Sequence, residues 1–153
     1  MADSEFVYVI YIRTTPEKLW QALIEPEFTR EFWVATVQEC EWKVGAAWKL
    51  VAPNGRVADA GEVVEIDPPR KLVLKWQNHL FPDITAEGYS RMTYELEPMG
   101  SSVKLTVTHT MDKKDSKLIK AVSTGWPNIL SSLKSLLETG KSLEGSDRWP
   151  EGF

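Results

Sequence analysis

The chain has 153 residues, 42% apolar and 26% charged, with a formal net charge of −4 at pH 7, enough for one domain with a full core. No basic stripe is present to neutralise phosphates, which argues against a nucleic-acid binder, and the single cysteine, Cys40, excludes an internal disulfide or a thiolate metal cluster. No stretch reaches the roughly 18 apolar residues of a membrane span, and MADSEFVYVI lacks a basic region ahead of an apolar one, so a cytoplasmic domain is expected.

Phe6 to Ile12 (FVYVIYI) is β-branched and aromatic throughout and reads as a strand. Thr14-Thr15-Pro16-Glu17 then starts a helix, with a threonine cap, proline in the first turn and an acid near the positive end of the dipole. Leu19, Trp20 and Leu23 mark its buried side. Pro26 interrupts it, and a second short helix is predicted from Glu27 to Trp33, burying Phe28, Phe32 and Trp33.

Extended runs follow. Ala47–Ala52 closes at Pro53-Asn54-Gly55, where proline fixes one φ and Asn-Gly tolerates positive φ. Arg56–Ile66 ends at Asp67-Pro68-Pro69. Lys71–Gln77 places Leu72, Leu74 and Trp76 on one face, and Glu87–Glu97 places Met92, Tyr94 and Leu96 on one face. After the Pro98-Met99-Gly100 turn, Ser102–Thr110 alternates Val103, Leu105, Val107 and His109 with Lys104, Thr106, Thr108 and Thr110. A period of two with one wet face is antiparallel-sheet behaviour.

Asp115–Val122 reads as a short separate helix. The long one is predicted over Ser123–Gly140, with Thr124 as cap and Pro127 in the first turn. Trp126, Ile129, Leu130, Leu133, Leu136 and Leu137 form its apolar stripe, and Gly140 ends it in the left-handed conformation. Residues 1–141 are expected to form one domain and 142–153 a polar, loose tail, with docking of Trp149 as the alternative.

The sequence therefore predicts an α+β fold, ordered β-α-α-β-β-β-β-β-α. A curved antiparallel sheet of about six strands wraps a long C-terminal helix, with two short helices between strands one and two. A sheet this curved leaves a gap against a single helix, a natural place for a ligand.

The same order of elements resembles the helix-grip fold of START lipid-transfer domains, the major birch-pollen allergen and polyketide cyclases. Several stretches resemble more closely the activator of heat-shock protein ATPase homologue family in its small bacterial form. They are Thr15-Pro16-Glu17-Lys18-Leu19-Trp20, Phe32-Trp33, Val44-Gly45, and Gly61-Glu62-Val63-Val64-Glu65-Ile66-Asp67-Pro68-Pro69 with Leu72 and Trp76. Val107-Thr108-His109 and Gly125-Trp126 with Leu130, Leu133 and Leu137 complete the set, which covers roughly residues 5 to 141. The eukaryotic activator carries a separate N-terminal domain with much of its chaperone contact, and this sequence begins at its first strand. The resemblance thus implies the fold more than ATPase activation, because one scaffold hosts carriers, cyclases and chaperone cofactors.

Seven tryptophans in so short a chain pack a core or line a cavity. Trp33, Trp48, Leu50, Trp76, Met92, Tyr94, His109, Trp126, Ile129, Leu130 and Leu133 are the expected cavity-lining residues. His109 points inward and could orient a ligand or act as a base, while His79 is expected at an exposed rim. Neither histidine has a partner at the spacing of a dyad, so no catalytic residue is assigned, and no metal or cofactor is expected. Asp59, Glu62 and Glu65 are expected on a solvent face in cross-strand pairs, and Cys40 is an apolar filler.

The leading expectation is a non-enzymatic domain that binds a small apolar or aromatic molecule between sheet and helix. One alternative is a cyclase, dehydratase or hydrolase using His109 or an acid in the same cavity. Another is a stress-related chaperone cofactor with a protein partner. No membrane span and no nucleic acid are expected, and the oligomeric state is monomer or homodimer.

Overall fold

The computed structural model describes residues 2–153. Eleven elements follow one another: β1 (Ser4–Ile12), α1 (Pro16–Ile24), α2 (Pro26–Phe32), β2 (Val37–Cys40), β3 (Ala47–Val51), β4 (Val57–Asp67), β5 (Lys71–Asn78), α3 (Pro82–Thr85), β6 (Ser90–Met99), β7 (Ser102–Met111) and α4 (Lys117–Thr139). The strands form a single seven-stranded sheet in the order β1-β7-β6-β5-β4-β3-β2, every pair antiparallel. This is the α+β helix-grip arrangement, with one more strand than the sequence suggests. The extra strand, β2, is four residues long, and it follows two left-handed non-glycine residues, Val34 and Ala35.

Alternation builds the inner face of the sheet. In β7 every second residue from Val103 to Met111 is buried, and register aligns Leu105 with Leu96, Val107 with Tyr94 and His109 with Met92. Leu72 and Leu74 of β5 continue these rows opposite Tyr94 and Met92. Trp126, Leu130 and Leu133 of α4 close over them, each at most 2% exposed. Burial of this many large side chains, at about 1.5–3 kcal/mol apiece, is the main driving force for the fold.

The long helix starts earlier than the sequence suggests. Ser116 is its cap, accepting from Ile119 N, and the run Lys117–Thr139 is continuous, so the short helix and the long one are a single rod. Thr124 is therefore an interior residue, and Pro127 lies inside the helix rather than in its first turn. Proline there leaves the Ser123 carbonyl without its usual partner. The hydroxyls of Ser123 and Thr124 donate back to the carbonyls of Lys120 and Ala121, one turn earlier. Gly140 ends the rod at φ +84°, as its position predicts.

Helix α4 is fastened at both ends. Near its C-terminus Lys134 donates to the Tyr11 carbonyl, and the Glu138 carboxylate accepts from Arg13 N at 2.8 Å. Near its N-terminus the Glu87 side chain, only 1% exposed, reaches in from the turn after α3. Its carboxylate accepts from Ser116 Oγ, Lys117 N and Leu118 N. Burial alone would raise the Glu87 pKa, but these donors and the Lys113 ammonium outweigh it and hold the carboxyl below its ordinary value.

Residues beyond α4 do not hang free. Trp149 packs against the main hydrophobic cluster. Phe153 meets Phe81 edge to face at 5.6 Å, and Arg56 Nη1 donates to the Phe153 carbonyl oxygen at 2.8 Å.

Candidate functional site

Four tryptophans, three from β3, β5 and α4 and one from the end of α2, converge at one end of the grip. Trp48 on β3 and Trp76 on β5 lie on either side of Gly61, which pairs with both. With no side chain at Gly61, the two indoles meet over it, ring centres 4.6 Å apart. A Cβ at Gly61 would run into the backbone carbonyl of Lys75. Trp33, just past α2, stacks on Trp76 at 6.2 Å, and Trp126 of α4 touches Trp33 at 5.5 Å and Trp76 at 5.8 Å.

Beside this cluster opens a cleft of about 160 Å³. Trp33, Asp59, Trp76 and Asn78 form its floor and sheet side. Phe81 and Ile84 of the α3 region form one wall, and Leu118, Ala121, Val122, Gly125, Trp126 and Ile129 of α4 form the other. Its volume is close to that of a cavity of about 150 Å³ that holds one benzene ring.

Asp59 is the one ionisable side chain lining the cleft. It does not lie on the solvent face expected from the sequence. Counting by two along β4, Asp59, Gly61 and Val63 share the inner face, and Asp59 is 7% exposed. Glu62 and Glu65 do face outward, Glu65 pairing with Lys71 at 3.3 Å. Asp59 and Glu62 are three residues apart, so a period of two puts them on opposite faces, and the bulge between Val63 and Glu65 brings Glu65 out beside Glu62.

Asp59 Oδ1 accepts from Trp76 Nε1 at 2.9 Å and from Asn78 Nδ2 at 3.2 Å. Burial raises its pKa to about 7, the dominant effect, with both hydrogen bonds pulling the other way. Oδ1 already holds two donors, and Oδ2 has no hydrogen-bond partner among the described residues. At neutral pH the cleft thus contains a carboxyl poised between its acid and its anion.

His109 is fully buried and its hydrogen bonding is complete. Trp126 Nε1 donates to Nδ1 at 3.2 Å, which assigns the proton to Nε2 and lets it donate to Ser90 Oγ at 2.8 Å. Ser90 in turn donates to the Trp76 carbonyl at 3.1 Å. Burial lowers the His109 pKa to about 3, so the ring is neutral at any physiological pH, and its only basic lone pair is occupied. In this arrangement His109 fixes the orientation of Trp126 and has no free lone pair to take a proton from a ligand.

The expected lining residues divide into two groups. Trp33, Trp76, Trp126 and Ile129 line the cleft. Trp48, Leu50, Met92, Tyr94, His109, Leu130 and Leu133 lie deeper, each at most 3% exposed, and fill the space between sheet and helix. Trp48 is held there by Gln38, which accepts from Trp48 Nε1 at 2.9 Å and donates to the Leu23 carbonyl at 2.6 Å. The Tyr94 hydroxyl is buried without a partner among the described residues, and burial drives its pKa upward. Asp59, Asn78, Phe81, Ile84, Gly125 and the first two turns of α4 are cleft residues that the sequence does not single out. For Asp59 the signal was present, since it is in phase with Val63.

Among the described residues no group of three or more His, Cys, Asp or Glu side chains is placed to hold a metal ion. No described helix is long and apolar enough to cross a membrane.

Comparison with known proteins agrees with this architecture. Among solved structures, protein MLL2253 from Mesorhizobium loti superposes with a TM-score of 0.75 at 26% identity, over 88% of this chain and 97% of that one. The Aha1 dimer from Colwellia psychrerythraea gives 0.73 at 22% identity, over 91% and 99%. An HSP90 activator from Plasmodium falciparum gives 0.71 at 24% identity, over 87% and 95%. No curated protein matches the sequence significantly. The model of the family described as Activator of Hsp90 ATPase homolog 1-like protein matches residues 13–138, from the end of β1 almost to the end of α4, and the chain belongs to that family.

Proposed function

We propose that this protein binds a small apolar or aromatic molecule in the cleft between α4 and the rim of the sheet, in the cytoplasm, where a lone thiol such as Cys40 stays reduced. One observation carries the proposal: an apolar cleft of about 160 Å³ walled by Trp33, Trp76 and Trp126, with a single acid on its floor. A concave apolar site with few convergent polar groups is the usual form of a small-molecule pocket. Titrating a panel of single-ring and two-ring aromatic compounds while following tryptophan fluorescence tests it. Saturable quenching or a spectral shift supports binding, and no response across the panel at millimolar concentration contradicts it.

Two other functions have support of their own. An enzyme of the cyclase or hydrolase kind would use Asp59, whose carboxyl holds and releases a proton near neutral pH, and not His109. It predicts a rate that follows the Asp59 titration and is lost in Asp59→Asn. A chaperone-cofactor role is supported by the family and by the names of the Plasmodium and Colwellia structures. Val7, Val9 and Tyr11, each more than 40% exposed on the edge strand β1, would suit a protein contact. Stimulation of a purified Hsp90 ATPase by this chain, lost when Val9 and Tyr11 become lysine, would favour that role over the first.

A further inference from the structure

We propose that the cleft selects a small organic cation, an amine whose ammonium group pairs with Asp59 and whose hydrocarbon body lies against Trp33, Trp76 and Trp126. The inference rests on the ligand-binding function above and narrows it to one chemical class.

Two independent features of the site point to a cation. The first is the acid. Asp59 is 7% exposed, no ion pair reaches it among the described residues, and Oδ2 has no protein donor while Oδ1 has two. A carboxylate enclosed without a counter-charge is costly, and a ligand that brings the charge relieves that cost. Charge-assisted N–H···O⁻ bonds are also stronger than neutral ones.

The second feature is the orientation of the indoles. Trp76 Nε1 is committed to Asp59, and Trp126 Nε1 to His109. Neither N–H is free for a ligand, so these two rings contribute carbon edges and π faces, and a π face attracts cations.

Other ligand classes fit less well. An anion would face the Asp59 carboxylate, the N-terminus of α4 is already occupied by the Glu87 carboxylate, and the single turn α3 has Leu80 N and Phe81 N ahead of it committed to Asn78 Oδ1. A pure hydrocarbon would leave Oδ2 unpaired. The volume admits one six-membered ring with a short substituent.

Four probes of nearly equal size test the proposal on the full chain at pH 7.5: benzylamine as cation, benzyl alcohol as neutral donor, toluene as hydrocarbon and benzoate as anion. Binding is read by tryptophan fluorescence and by the indole N–H signals in a 15N-labelled sample. Benzylamine is expected to bind about tenfold more tightly than benzyl alcohol, with benzoate weakest. Asp59→Asn keeps an acceptor for Trp76 and Asn78, and it should erase the preference for the amine over benzyl alcohol. Equal binding of all four probes by the wild type would overturn cation selection and leave the apolar cleft standing as a site. If no probe binds, including toluene and benzyl alcohol, the ligand-binding function itself falls with it. The wild-type series needs no variant to fold, so the outcome does not depend on the stability of Asp59→Asn.

Discussion

Trp76 Nε1 donates to Asp59 Oδ1 across the β4–β5 pair at 2.9 Å, and this bond ties the aromatic cluster to the only ionisable group lining the cleft among the described residues. Through it, the protonation state of Asp59 is linked both to the packing of the tryptophans and to the stability of the domain.

Asp59 should make the fold less stable as pH rises. Its folded pKa of about 7 exceeds the unfolded value of 3.8. Between those values the folded protein keeps a proton that the unfolded chain has released, so stability falls from about pH 4 to about pH 7. The full penalty above pH 7 is on the order of 4 kcal/mol. Asp59→Asn cannot ionise, and should match the wild type within about 1 kcal/mol at pH 4 and exceed it by a few kcal/mol at pH 8. Urea denaturation midpoints at the two pH values measure the difference.

His109 has the opposite effect over nearly the same range. Its folded pKa is lowered from 6.5 to about 3, so below pH 6.5 the unfolded chain takes up a proton that the folded ring cannot. Stability from this group therefore rises with pH from about 3 to 6.5. In the wild type the two slopes largely cancel between pH 4 and 6.5. Asp59→Asn should unmask a positive slope there, and His109→Gln a negative one. A flat profile in both variants would mean that neither group is buried as described.

How far the sequence revealed this protein depended on how local each signal was. The β7 alternation from Val103 to His109 predicted its burial residue by residue, and Gly140 marked the end of α4. The start of α4 was obscured because Pro127 looks like a first-turn residue. The true N-terminus is completed by Glu87, about thirty residues away in sequence, a contact no local pattern contains. Strand β2 was hidden because four residues carry too little periodicity. Asp59 departs from the other acids of β4 because its odd spacing from Glu62 turns it inward, whereas the bulge between Val63 and Glu65 keeps Glu65 outward. The tryptophans were identified as a group, but only their three-dimensional arrangement separates those that fill the core from those that border the cleft.

Glu87 is predicted to set the stability of the α4 N-terminus. Glu87→Gln replaces an acceptor of three donors with an amide that can satisfy only part of them, and it removes a negative charge from the positive end of the helix. A loss of about 1–3 kcal/mol is expected at pH 7. The folded pKa lies below the ordinary value of 4.5. Its contribution is thus fully present above pH 4.5 and disappears as pH falls through the folded pKa. Thermal melts of wild type and variant should converge at low pH, and amide exchange should quicken first at Leu118 and Ile119.

Gly125 offers a way to close the cleft without disturbing the core. A Cβ added there meets nothing within 4 Å, and the residue lines the cleft. Gly125→Ala should stabilise α4 by about 0.5–1 kcal/mol, since glycine in a helix interior is unfavourable. Gly125→Leu projects a larger side chain into the same space and should abolish binding of single-ring aromatics while the protein remains folded. Isothermal titration with the probe series, alongside circular dichroism, separates occlusion from unfolding.

The most direct test follows the seven indole N–H resonances by 1H–15N NMR while an aromatic ligand is added. Binding in the cleft predicts saturable shifts at Trp33, Trp76 and Trp126, with Trp20 of α1 and Trp42 of the β2–β3 connection, both outside the cleft lining, unmoved, and loss of those shifts in Gly125→Leu. Shifts confined to Trp149 or Trp42, or shifts that persist unchanged in Gly125→Leu, would contradict a ligand site between α4 and the sheet.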